Sequence, residues 1–164
     1  PRWRQPARGR PMNRSRYVTR HLDTIDREII AALTEDGRIS AKHLAEKIGL
    51  SSPSIGERVL KLKDAGAILG YTIVIDPNVF ALTVSAFLRI EPLPGELPKV
   101  VEMLRNTHQV VEAHRVTGTD GFVAQVLVRD AQELETVADL FVPFASTHTA
   151  IVQSTTVPRR LPRL

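Results

Sequence analysis

The chain predicts an α+β fold in two parts, a helix-turn-helix followed by a ferredoxin-like βαββαβ unit. Ala41, Leu44, Ala45 and Ile48 recur at i, i+3, i+4 and i+7, and a glycine and a Ser-Pro pair separate them from a second helical stripe. From Leu82 the apolar period changes to two. Beyond that point strand-like and helix-like stretches alternate in the order βαββαβ, which places two helices on one face of a four-stranded antiparallel sheet.

The first helix is expected over Asp23 to Glu35, with Ile25, Ile29 and Leu33 in line. Asp23 and Asp26 stand near its start, where acids complement the helix dipole, and this explains them better than acid–base catalysis. Asp36-Gly37 ends it. Ser40 is placed to cap the next helix, and Gly49 supplies the permissive backbone of a sharp turn. Ser51 or Ser52 with Pro53 opens a third helix that buries Ile55, Val59 and Leu62, and Gly66 is placed to end it.

Two helices joined by so short a turn make a helix-turn-helix, whose second helix enters the major groove. Its outward residues, Ser52, Ser54, Glu57, Arg58 and Lys61, are the candidate DNA-binding set. An ordinary helical hairpin with solvated charges is the competing reading.

Residues 67–77 are rich in β-branched and aromatic side chains and read as an extended hinge ended by Asp76-Pro77. Val84, Ala86, Leu88 and Ile90 then alternate with Thr83, Ser85, Phe87 and Arg89 in a strand. Leu97, Val100, Val101 and Leu104 restore helical spacing. Two strands, Val110 to Thr117 and Phe122 to Arg129, flank Gly118-Thr119-Asp120-Gly121. Leu134, Val137, Ala138 and Phe141 form another helical stripe, and Thr149 to Val157 a last strand. The expected divisions are a disordered basic arm at 1–21, the helix-turn-helix domain at 22–68, a hinge strand and linker at 69–81, the ferredoxin-like domain at 82–158 and a basic tail at 159–164. Residues 1–11 read either as an added leader ahead of Met12 or as a native arm for DNA.

The net charge of +4 hides an uneven distribution. Residues 1–20 hold seven arginines and no acid, and residues 159–164 hold three more, which leaves 21–158 at −6. Any attraction to nucleic acid must come from a local patch and the arms. The 164-residue chain has no cysteine, which excludes disulfides, thiolate zinc sites and a cysteine nucleophile. Its five histidines lack metal-ligand spacing, so no metal, cofactor or catalytic residue is expected. No apolar run approaches a membrane span, and a cytoplasmic protein is the expectation.

The segments LDTIDREIIAAL at 22–33, DGRIS at 36–40, LAEKIGLS at 44–51, RVLKLKDAGAILGY at 58–71 and VTGTDGFVAQV at 116–126 carry a family resemblance. In this order and spacing the chain resembles the Lrp/AsnC family of bacterial and archaeal transcription regulators. The resemblance implies a winged helix-turn-helix and a ferredoxin-like effector domain. It also implies a homodimer, often assembled into octamers, bound to double-stranded DNA in the nucleoid, with an amino-acid effector held between subunits. Gly56 departs from a good helix former, and Thr119-Asp120-Gly121-Phe122 resembles a variant of the family's glycine loop.

That loop, Gly118, Thr119 and Asp120, reads in isolation equally as a plain hairpin turn. The resemblance makes it the candidate effector site, because loop N–H groups and one carboxylate match the two charged ends of an amino acid. Two alternatives remain beside the effector-responsive regulator. One is an enzyme like the sirohaem decarboxylases, which resemble this family. The other is a nucleoid protein of low sequence specificity.

Overall fold

The computed structural model describes residues 22–160, and they fold as two units that divide between Ile73 and Val74. In the first, α1 (Thr24–Glu35) starts where the Asp23 carboxylate accepts the Asp26 N–H. Helix α2 (Ala41–Ile48) starts where the Ser40 hydroxyl accepts from His43, and α3 (Ser52–Asp64) where Ser51 accepts from Ser54. Each cap satisfies an N–H that the helix itself cannot. Gly49 ends α2 at φ 79°, and Gly66 follows α3 at φ 72°, both in the left-handed region that glycine enters freely.

The three helices close on Ile29, Ala32, Leu44, Ala45, Ile55 and Leu62, all buried, with Val59 and Leu50 packed at the edge. Small Ala45 and fully buried Ile55 share this cluster, as the spacing predicts. Burying each large side chain contributes roughly 1.5–3 kcal/mol.

Residues 67–77 depart from expectation. Among the described residues they pair with no strand, so the hinge forms no ladder and no wing hairpin follows α3. Their side chains have the propensity for extended structure, but a strand needs a partner edge to bond its N–H and C=O groups. Leu69 and Val74 are almost fully exposed, and a 3₁₀ turn at Pro77–Phe80 precedes the first strand of the second unit.

That unit contains β1 (Val84–Pro92), α4 (Leu97–Asn106), β2 (Val110–Arg115), β3 (Phe122–Val128), α5 (Ala131–Asp139) and β4 (Ala145–Ile151). The sheet order is β2-β3-β1-β4 with every pair antiparallel, the ferredoxin-like arrangement. One face buries Ala86, Leu88, Ile90, Phe122, Ala124, Val126 and Val128 under α4 and α5. Phe87, Arg89, Val123, Gln125 and Leu127 fall on the other face by alternation.

The last strand begins at Ala145, four residues before the expected Thr149, and ends at Ile151. Its Ala-Ser-Thr-His opening shows no apolar alternation, and pairing with β1 sets its position instead, with Ala145 opposite Pro92. The expectations for residues 1–21, and for 161–164 of the tail, lie outside the described residues.

Candidate DNA-reading helix and effector loop

The joint between α2 and α3 is three residues, Gly49, Leu50 and Ser51. Gly49 and Leu50 both donate their N–H groups to the Ala45 carbonyl, at 2.8 and 3.0 Å, which closes α2 and turns the chain. Ser51 then caps α3, and its hydroxyl also lies 2.9 Å from that of Ser54. Pro53 sits in the first turn, where no N–H is needed.

Of the five candidate DNA contacts, Glu57 and Lys61 are exposed on α3. Ser54 is exposed with its hydroxyl engaged by Ser51, and Ser52 is half-buried. Arg58 is placed differently from expectation. Its Nη1 donates to Asp23 Oδ2 at 2.7 Å and to Asp26 Oδ1 at 2.9 Å, tying α3 to the start of α1. Asp23 and Asp26 hold this guanidinium firmly protonated. The Asp26 N–H, and after it Arg58, keep the Asp23 carboxyl below its usual value. In this structure Arg58 braces α3 against the start of α1. Two acids at i and i+3 exceed what one N-cap needs, and that surplus was the available signal.

The second candidate site is the loop between β2 and β3. The Val116 N–H donates to Gly121 O at 2.9 Å and the Phe122 N–H to Asp120 O at 2.6 Å, so the loop is closed at its base. Gly118 stands at φ 101° and Gly121 at φ 65°. A Cβ on Gly121 would lie 2.8 Å from Pro92 Cδ and 3.3 Å from Ile90 O, so this glycine is required by space as well as by backbone. Thr119 and Gly118 are exposed, and Asp120 is half-buried.

Sequence reasoning missed Arg89 here. Its Nη1 lies 3.9 Å from Asp120 Oδ2, within Coulombic reach but too far for a hydrogen bond. Strand pairing places Arg89 in one cross-strand row with Val123 and His114 on one side and His148 on the other. No sequence spacing links these positions; only the sheet register does.

Known proteins share both units. Residues 22–63 match the AsnC-type helix-turn-helix domain and residues 85–162 the Lrp/AsnC ligand binding domain. The HTH-type transcriptional regulator FL11 of Pyrococcus horikoshii is 31% identical over 137 residues, 82% of this chain and 91% of the relative. The solved structure of Bacillus subtilis LrpC superposes with a TM-score of 0.80 at 27% identity, covering 84% of this chain and 99% of that one. A feast or famine regulatory protein from M. tuberculosis, complexed with L-methionine, gives 0.81 at 29% identity, covering 87% and 99%. The order of helices and strands, the family matches over both units and relatives aligned along most of their length agree: the chain belongs to the Lrp/AsnC family of helix-turn-helix transcriptional regulators.

Proposed function

We propose that this regulator reads duplex DNA through α3 and takes an amino acid at the Gly118–Asp120 loop as its effector. The observation that carries the effector reading is the opposed pair Arg89 and Asp120, 3.9 Å apart beside a loop fixed by two glycines. An amino acid carries its ammonium and carboxylate on one carbon. Asp120 accepts from the ammonium, while Arg89, the Thr119 hydroxyl and the loop N–H groups donate to the carboxylate. Ligand binding thus replaces one loose ion pair with several short charged hydrogen bonds. The related M. tuberculosis protein was solved with L-methionine, which agrees with this ligand class.

On the DNA side, Glu57 and Lys61 are exposed on α3, which supports a phosphate contact by Lys61 and a base-edge contact by Glu57. A homodimer presents two such helices to half-sites about 34 Å apart, one turn of duplex. The sheet face away from α4 and α5 supports pairing with a second copy, since Phe87 is 43% exposed there beside Val123 and Leu127. The relatives reported above are named regulators, which favours this reading over the decarboxylase-like alternative. A working place in the cytoplasm, on the nucleoid, follows from it.

The test is a thermal-shift screen of the full chain against the twenty amino acids, followed by calorimetry of wild type and Asp120→Asn. Ligand stabilisation grows as RT ln(1 + [L]/Kd), so millimolar effectors register. Asp120→Asn should weaken binding by about 1.5–3 kcal/mol, the worth of a charged hydrogen bond. Equal affinities would return the loop to being a turn.

A further inference from the structure

Gly56 and Leu60 lie one turn apart on the exposed side of α3, and the fold explains neither. Gly56 is inside the helix, where glycine is the poorest former after proline. A Cβ built there meets nothing within 4 Å, and its φ is not positive, so neither space nor backbone asks for glycine. Leu60 is 59% exposed, although its surface neighbours Glu57, Lys63 and Asp64 are charged. Residues four apart are neighbours on a helix surface, and helical side chains lean towards the N-terminus. Leu60 therefore leans over the gap left at Gly56, and exposed Pro53, three residues before Gly56, continues the apolar strip. An exposed apolar strip thus runs along α3 with open space at Gly56 where a Cβ would stand, and that opening is the recess.

Resting on the reading that α3 enters the major groove, we infer that this recess receives the 5-methyl group of a thymine. Among the groups that base pairs display in that groove, the thymine methyl is the apolar one. A Cβ at Gly56 would occupy its place, while Leu60 supplies the wall against which it is buried. Lys61, exposed further round the same helix, brings α3 to the negatively charged duplex, where an exposed leucine alone would not.

The experiment uses the full chain and a duplex enriched by it from a random library, with each thymine replaced in turn by deoxyuridine, which lacks only the methyl. One position per half-site should weaken binding by about fourfold, equivalent to about 0.8 kcal/mol for a methyl-sized group. In Leu60→Ala that same replacement should cost nothing. Gly56→Ala should raise the melting temperature of the chain and yet weaken binding to the thymine duplex. Insensitivity to every deoxyuridine, or a sensitivity that persists in Leu60→Ala, overturns the inference if Lys61→Ala still weakens binding. Should Lys61→Ala and Glu57→Ala also bind as wild type, the reading of α3 itself is wrong and the inference falls with it.

Discussion

The Arg58 guanidinium bonds Asp23 at 2.7 Å, so the middle of α3 is pinned to the first turn of α1 across 35 positions of sequence. The same Nη1 reaches Asp26 at 2.9 Å, so one nitrogen of the guanidinium is shared by both acids. Arg58→Ala should therefore lower the melting temperature, by less than Ile55→Ala, which empties a fully buried core position and costs about 2–5 kcal/mol. Binding should weaken alike for all duplexes, with the base preference kept. Loss of preference at one base position, with unchanged melting, would make Arg58 a reader after all.

A second prediction concerns acid stability. The Glu133 carboxylate accepts from the Arg129 N–H and Nε, both at 2.9 Å, and from Gln109 Nε2 at 3.1 Å. Led by the Arg129 N–H, these bonds lower its pKa from 4.5 to about 2. A depressed carboxylate stabilises the fold fully above its unfolded value, and that contribution is lost as pH falls from about 4.5 towards about 2. Glu133→Gln should be less stable at neutral pH, and its melting curve should converge on wild type across that window. A constant difference from pH 7 down to pH 2 would contradict the assignment.

Gly121→Ala must fit a Cβ against Pro92 while holding φ at 65°, and should cost ~1–3 kcal/mol in chemical denaturation. Gly118→Ala meets no neighbour and pays only for its backbone angle, so its loss should be the smaller of the two. Equal losses would mean that the Pro92 contact yields without cost.

The helix-turn-helix was legible because its signals are local. Ser40, Gly49 and Ser51 do in the fold what their neighbours in sequence imply, within three or four residues. The alternation from Val84 to Ile90 likewise gave β1 its buried face. What sequence patterning could not show is non-local. Arg58 lies on the flank of α3 and looks outward by spacing, until α1 brings two carboxylates to it. Ser146, Thr147 and His148 carry no apolar period and become strand only beside β1. Arg89 and Asp120 are 31 residues apart, and strand pairing alone makes them a pair. Residues 67–77 show the reverse case, strand propensity without a partner edge.

Self-association offers a fourth prediction. Phe87→Glu places a charge on the sheet face opposite the helices, which two copies are proposed to cover. Sedimentation of the full chain should shift from the proposed dimer towards monomer, because a buried unpaired carboxylate is strongly disfavoured. The monomer's own melting should change little, since this side chain is 43% exposed. An unchanged sedimentation profile would contradict pairing through this face.

The most direct test of an effector-responsive DNA regulator is one titration. The duplex enriched by the full chain is bound with and without the amino acid that most raises its melting temperature, in wild type and in Asp120→Asn. Because coupling between two sites is reciprocal, an effector that alters the DNA-bound assembly must alter operator affinity, typically by five- to 150-fold. The account predicts such a ligand-dependent shift in wild type, and ligand-free operator affinity unchanged in Asp120→Asn with the shift largely lost. An operator affinity that ignores the ligand in wild type would contradict it.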